Sequence, residues 1–395
     1  MSRIFVSGIG IISPLGDTVA LNHTALKQST CGISKLELVK SNYAGKLPVG
    51  EIKTETNTLK DKLNAHDKGL SRTTLLALHA FKDAINDSKL NAAEIASADT
   101  ALINATTVGG MCLTDELYAD ANSKSNGSEY LASYDAGSVT MYLQERYTMH
   151  GIINTINTAC SSSANAIMYG AQLIQNGLAK RAIVGGVDSL AKFTINGFYA
   201  LHILSDEICR PFDNERKGLN LGEGAAFIVL EKEEDIKNKK VYAELSGYCN
   251  ANDAFHPSSI SENADGPFLA MQGALQKAKL SPHQIDSINA HGTATGNNDE
   301  AESKALIRLF TNPPAFTSTK SNTGHTLGAA GAIEAVYSIL NLSEQEVYQS
   351  LHYANPIPAT KLEPVKAYKK MSIQHVLSNS FGFGGNCTSL VFSKT

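Results

Sequence analysis

The chain has 395 residues, 43% of them hydrophobic, which is enough for two core-forming units and far from the size at which small cores fail. Its 34 Lys and Arg against 38 Asp and Glu give a net charge of -4, which excludes a global attraction to nucleic acid or an anionic membrane and leaves only local basic patches. The six cysteines include no C-x-x-C pair and lack the dense spacing of a disulfide scaffold, so a reducing, cytoplasmic setting is expected.

The opening run, MSRIFVSGIGIISPLG, is short, apolar and broken by Gly and Pro, so it reads as a buried strand and turn rather than a secretory leader. No run reaches the ~18 to 20 apolar residues of a membrane span. From Ser71 to Ser88, Leu75, Leu78, Phe81 and Ile85 recur at helical spacing and predict an amphipathic helix. TALINATTVGG, AIVGGVD and AAFIVLE are Gly-bounded apolar runs that read as buried strands, and the alternation predicts α/β architecture. The charged stretch EKEEDIKNKK, residues 231–240, interrupts the pattern, after which VYAELSGYCNANDA resembles the opening run. A second echo joins NTACSSSANAI to SNTGHTLGAAGAI, each placing a reactive residue at a polar turn before small residues. Self-similarity this weak also arises by chance, so the echoes alone leave an internal repeat open.

Cys160 is the first candidate for chemistry. A free Cys is most often a buried filler. At a polar turn where Ser161, Ser162 and Ser163 open a helix, however, it would meet the positive end of the helix dipole, which favours thiolate. His291 in INAHGTATGNNDEAE and His325 in TSTKSNTGHTLGAAGA follow strand-like runs, and Gly292, Gly324, Gly328 and Gly331 permit close backbone approach to each imidazole. A metal site is the competing use of Cys and His, but no short pair of ligands anchors either histidine, so no metal is expected. Asp299 and Glu300 suit the first turn of a helix. The loop LSNSFGFGGNC lacks a Walker ending and is better suited to aiming a backbone N–H at a developing oxyanion.

In this order, T-A-C-S-S-S, R-P-F-D-N-E-R-K-G-L, L-G-E-G-A-A, A-H-G-T-A-T, K-S-N-T-G-H-T-L-G-A-A-G and N-S-F-G-F-G-G span nearly the whole chain. Together they resemble the elongating β-ketoacyl-acyl-carrier-protein synthases of the thiolase-like superfamily. The resemblance implies two similar halves, residues 1–240 and 241–395, stacked as five layers (α-β-α-β-α) with the active site where they meet. It implies that Cys160 takes an acyl group as a thioester, and that His291 and His325 bind the malonyl thioester carbonyl and promote decarboxylation. Lys320, together with Glu302, would organise the site by charge. The N–H groups of Cys160 and Phe383 would form the oxyanion hole, with Phe383 also gating the acyl pocket and Phe381 and Val108 lining it. Asn289, Glu334, Ser378 and Asn379 match a supporting cluster where some relatives hold a structural monovalent cation; no other cofactor is implied.

A histidine at position 325, where chain-initiating relatives carry Asn, implies elongation, and Cys387 does not match the second cysteine of degradative thiolases. The implied partners are acyl- and malonyl-loaded carrier protein and a second ketosynthase-like chain, identical or related, with no nucleic acid and no membrane span. Lys62, Lys68 and Arg72 fall in the segment that resembles the docking helix. An alternative role is that of an acyl-binding or chain-length-determining partner subunit, which usually lacks the nucleophile. Three departures stand out: Thr295-Gly296 where T-P is common, Asn386-Cys387 where T-N is common, and a short S-D-E-I-C loop before Arg210.

Overall fold

The computed structural model describes residues 3–236 and 239–395, so Lys237 and Asn238, inside the charged stretch after the first half, lie outside the described residues. Ten strands carry the architecture: β1 (Ile4–Ile12), β2 (Thr100–Ala105), β3 (Ile153–Ile156), β4 (Arg181–Asp188), β5 (Gly224–Lys232), β6 (Ala243–Asn252), β7 (Ser287–Asn289), β8 (Ala315–Thr317), β9 (His375–Phe381) and β10 (Asn386–Ser393). The runs read as strands from their β-branched, Gly-bounded composition are β1, β2, β4, β5 and β6.

Their order across the sheet is β8-β7-β9-β10-β6-β1-β5-β4-β2-β3. Divided between β6 and β1, this is one five-strand order used twice. In each half the second, third and fourth strands run parallel, while the fifth pairs antiparallel with the fourth and the first. Among the described residues the strands of the two halves pair only at Phe5↔Glu244 and Val6↔Ala243 of the β1–β6 ladder, which nearly separates them into a first and a second five-strand sheet. The repeat that the sequence echoes leave open is therefore present in the topology, with the two echoing turns placed after the third strand of each half.

Six of the helices position the site: α1 (Arg72–Asp87), α2 (Ser162–Gln175), α3 (Lys192–Ala200), α4 (Asp265–Ala278), α5 (Gly296–Leu309) and α6 (Ala330–Glu344). Helix α1 begins at Ser71, whose hydroxyl accepts the Thr74 N–H at 3.1 Å, and it buries Leu75, Leu78, Phe81 and Ile85 against the outside of the first sheet, as their spacing predicts. Helix α4 covers the second sheet and α5 packs on α4. Between the sheets lie α2 and α6, and α6 is buried on every side from Ala330 to Leu342. Their first turns meet closely: a Cβ on Gly331 would lie 2.7 Å from the Ala164 nitrogen, and the Ala332 N–H donates to Ser163 Oγ at 2.9 Å. That contact brings the turns preceding both helices to one place.

Candidate active site

Cys160 leaves the end of β3 through a strained elbow. Ala159 has φ 55°, the left-handed region that a Cβ disfavours, and Ser161, directly after the cysteine, is the residue that precedes α2. His291 follows β7, where its N–H and that of Gly292 donate to Glu302 of α5 at 2.9 and 2.8 Å. His325 is fixed from the first half, donating its N–H to the Asn220 carbonyl at 2.7 Å and accepting the Gly222 N–H at 2.9 Å. Cys160 Sγ and a ring nitrogen of each histidine all lie within 4.8 Å of one another, and all three residues are buried. The imidazoles meet edge to face, with centroids 5.4 Å apart.

Hydrogen bonds select the tautomers. The Leu327 N–H donates to His325 Nδ1 at 3.1 Å, and Lys320 Nζ donates to His291 Nδ1 at 3.2 Å. Each δ nitrogen accepts, so each ε nitrogen carries the proton and is a donor. Burial, then the Lys320 charge, hold both imidazoles well below their ordinary pKa, with His325 adding to the effect on His291. The pair is therefore two neutral N–H donors.

Lys320 is fully buried, donating to the His291 carbonyl at 2.6 Å and pairing with Glu334 on α6. This corrects the expected pairing with Glu302, whose carboxylate is occupied by the His291–Gly292 backbone and by Asn379 Nδ2 at 3.2 Å. The Lys320 charge beside His291 also makes the Cys–His–His trio a poor divalent-metal site, because metal-bound imidazoles usually have a carboxylate or carbonyl partner behind them.

Burial pushes the Cys160 thiol up to about 11, while Lys320 and the Phe383 N–H pull the other way. Burial therefore works against the thiolate that the helix terminus is expected to favour. The Phe383 loop comes this close because residue 382 is Gly: a Cβ there would sit 2.7 Å from the Thr158 carbonyl oxygen and 3.2 Å from the Cys160 nitrogen. The Phe383 ring stacks on Phe198 of α3, centroids 6.0 Å apart and 13° from parallel. Together they border a cavity of about 320 Å³ whose wall includes Cys160, both histidines, Leu201, Ile260 and Phe381.

Other expected residues divide. Asn289 and Ser378 are register partners on adjacent strands, so they share one face of the sheet, and Thr317, which the sequence reading did not name, joins them as the partner of Asn289 on β8. Asn379, one residue further along β9, turns to the opposite face and bonds Glu302, which corrects its assignment to the Asn289 and Glu334 cluster. Val108 is buried with Leu190, Ile195 and Leu327, outside the cavity wall.

Arg72 is not on the surface. Its guanidinium bonds Glu223 at 2.7 and 3.0 Å and the Ile52 and Thr54 carbonyls at 2.8 and 2.9 Å, which corrects its assignment to a docking patch. Lys68 is exposed, and Lys62 is half exposed beside Asp17 at 3.3 Å. Arg72→Glu is accordingly expected to cost about 3–5 kcal/mol by leaving buried carboxylates unpaired, whereas Lys68→Glu leaves the urea midpoint unchanged. Equal midpoints for the two variants would contradict the buried assignment.

Two departures have local accounts. Gly296 is the first residue of α5, the position where Pro is preferred because its N–H is unneeded there. The short S-D-E-I-C loop is pinned by the Cys209 N–H on Asn220 Oδ1 at 2.7 Å.

Sequence reasoning missed two anchors. Asp188, at the end of β4, accepts from Thr106, Thr107, Val108 and the Gly328 N–H, tying the first half to the His325 loop; its only trace is an acidic residue closing an apolar run. Asn165, Asn250 and Asn386 form an amide network behind Cys160, and their sole trace is the Asn386 departure.

A duplicated five-strand α/β unit with a Cys and two His at its centre defines a thiolase-like condensing enzyme. The sequence matches the Beta-ketoacyl synthase N-terminal domain over residues 1–236 and its C-terminal domain over residues 242–354, and the chain belongs to the β-ketoacyl synthase family. It is 32% identical to 3-oxoacyl-[acyl-carrier-protein] synthase 2 of Synechocystis sp., covering 99% of this chain and 98% of that protein. Among solved structures it resembles the ishigamide ketosynthase/chain length factor, with 26% identity and a TM-score of 0.93 over 100% of this chain and 99% of that one. It also resembles a type II polyketide ketosynthase solved with its acyl-carrier protein and bound to the hexaketide, with 25% identity and a TM-score of 0.89 over 100% of both chains.

Proposed function

We propose that this chain is an elongating 3-oxoacyl-[acyl-carrier-protein] synthase, and the observation that carries the reading is the meeting of Cys160 Sγ with both imidazoles inside 4.8 Å. In the first step the thiol attacks an acyl thioester on the carrier, an S–C bond forms to Cys160, and the carrier leaves as a thiol with the cysteine's proton. Malonyl-carrier then enters. Its thioester carbonyl accepts from the ε N–H groups of His291 and His325, so loss of CO₂ leaves an enolate whose oxygen is already solvated by two donors. The enolate carbon attacks the acyl-Cys160 carbonyl. Negative charge on that oxygen falls to the N–H groups of Cys160 and Phe383, and collapse expels the Cys160 thiolate, which takes up a proton from solvent, the one proton the decarboxylative condensation consumes. Lys320, neutralised by Glu334, keeps His291 in the donating tautomer.

Carrier protein is the proposed partner, as in the polyketide complex above. A second chain, identical or related, is proposed to pack on the segment that carries exposed Tyr118, Leu131 and Met141. The six free thiols agree with a cytoplasmic location, and no helix among the described residues is long and apolar enough to cross a membrane. A structural monovalent cation fits the donor set: Asn289 Oδ1, Thr317 Oγ1, Ser380 Oγ and Glu334 Oε2 are buried oxygens with no partner among the described residues. It would sit on the Glu334 oxygen that Lys320 leaves free, adding positive charge there, and take no part in bond making.

The partner-subunit reading is disfavoured by the complete Cys160, His291, His325 and Lys320 set. The purified protein, given acyl-carrier and malonyl-carrier, is expected to release CO₂ and form 3-oxoacyl-carrier, and Cys160→Gln to form none. Condensation surviving in that variant would refute the reading.

A further inference from the structure

The oxyanion hole assigned above takes its two donors from different halves of the molecule, Cys160 from the first and Phe383 from the second. Something must set their separation. The structure places Asn386, the first residue of β10, in contact with both sides. Its backbone carbonyl accepts the Gly382 N–H at 2.7 Å, closing the loop that presents Phe383. Its side-chain Oδ1 accepts from Ser161 Oγ at 2.7 Å, the residue directly after Cys160, and from Asn165 Nδ2 at 2.9 Å in the first turn of α2.

The amide orientations are over-determined. Asn250 Nδ2 donates to Asn386 Oδ1 at 2.7 Å and to Thr388 Oγ1 at 2.8 Å, Thr388 Oγ1 donates to Asn165 Oδ1 at 2.8 Å, and Asn165 Nδ2 also reaches Thr158 Oγ1 at 2.8 Å. The chain of bonds runs from β6 and β10 of the second half to both sides of Cys160 in the first. Oδ1 of Asn386 is the shared acceptor of three side chains, so no hydroxyl or apolar residue of similar size reproduces it.

We infer that Asn386 is a positioning residue that fixes the spacing of the Cys160 and Phe383 N–H donors, and so governs the two steps in which an oxyanion forms on the acyl carbonyl. The inference rests on the condensation reading above. It does not extend to malonyl decarboxylation, because His291 and His325 are held by Glu302, Lys320, Asn220 and Leu327 and share no bond with the amide network.

That separation supplies the test. Asn386→Leu, similar in size and without the acceptor, should slow both the acylation of Cys160 by acyl-carrier and the condensation by about tenfold to a hundredfold, the scale on which small misplacements of catalytic donors act. Malonyl-carrier decarboxylation, measured without acyl donor, should change by less than about threefold on the same argument. If the leucine variant does not fold, Asn386→Ser, which removes the amide without adding bulk, carries the same expected split. Acylation, condensation and decarboxylation falling together, or none falling, would overturn the assignment of Asn386 alone. An unsubstituted protein that neither acylates Cys160 nor decarboxylates malonyl-carrier would overturn the condensation reading instead.

Discussion

Replacing His291 or His325 with alanine is expected to slow malonyl-carrier decarboxylation by roughly a hundredfold to a thousandfold, the usual loss for one oxyanion donor. Both rings are neutral donors with their δ nitrogens engaged, so each removes one of the two N–H groups that meet the enolate oxygen. Acylation of Cys160 should be slowed far less, because its oxyanion is met by the backbone N–H groups of Cys160 and Phe383. An asparagine in place of His325 keeps a side-chain N–H and should recover part of the rate. Alanine variants that decarboxylate at the parent rate would remove the histidines from this step.

The second large effect belongs to Glu334. Glu334→Ala leaves the Lys320 charge buried beside the imidazole pair with no carboxylate partner, and breaking a buried pair in this way typically costs about 3–5 kcal/mol. Urea unfolding should show that loss, and decarboxylation should fall with it. A pH dependence follows from the same pair. Burial pushes Glu334 up to about 7, with Lys320 opposing the rise. In buffer free of alkali cations, as pH falls through that value the carboxyl takes up a proton and ceases to balance Lys320, so the decarboxylation rate should drop toward pH 6 and level off above pH 8. The histidines cannot account for such a limb, because their protonation lies well below 6.5. Glu334→Gln, which has no proton to take up, should shrink the limb, the remainder belonging to Glu302, which burial also pushes up to about 7; an unchanged limb in that variant would remove Glu334 from it.

What was legible in the chain follows from the physics each feature obeys. Strands such as Ile4–Ile12 and the helix from Arg72 to Asp87 are visible because burial on one or both faces imposes a period or an unbroken apolar run. The duplicated order was faintly visible, since the same turn must open each of the two central helices. The trio of Cys160, His291 and His325 could be named because each lies at a Gly- or Ser-rich turn.

Pairings were another matter. Glu302 and Glu334 are both helical carboxylates C-terminal to a catalytic loop, and only the packing shows that one holds the His291 backbone while the other meets Lys320. Arg72 at the start of a helix has the look of a solvated charge, because its partner Glu223 lies on the far side of the first half's sequence. The three asparagines behind Cys160 leave no period at all, since an amide network depends on geometry across strands rather than spacing along them.

The central claim is that Cys160 is the residue that carries the growing chain. Incubation of the protein with acyl-carrier alone, followed by proteolysis and mass mapping of the adduct, tests it most directly. The account predicts one acyl group on the peptide containing Cys160, removed when malonyl-carrier is added. Acylation at Cys31, Cys112, Cys209, Cys249 or Cys387, or an adduct on Cys160 that malonyl-carrier fails to discharge, would contradict it.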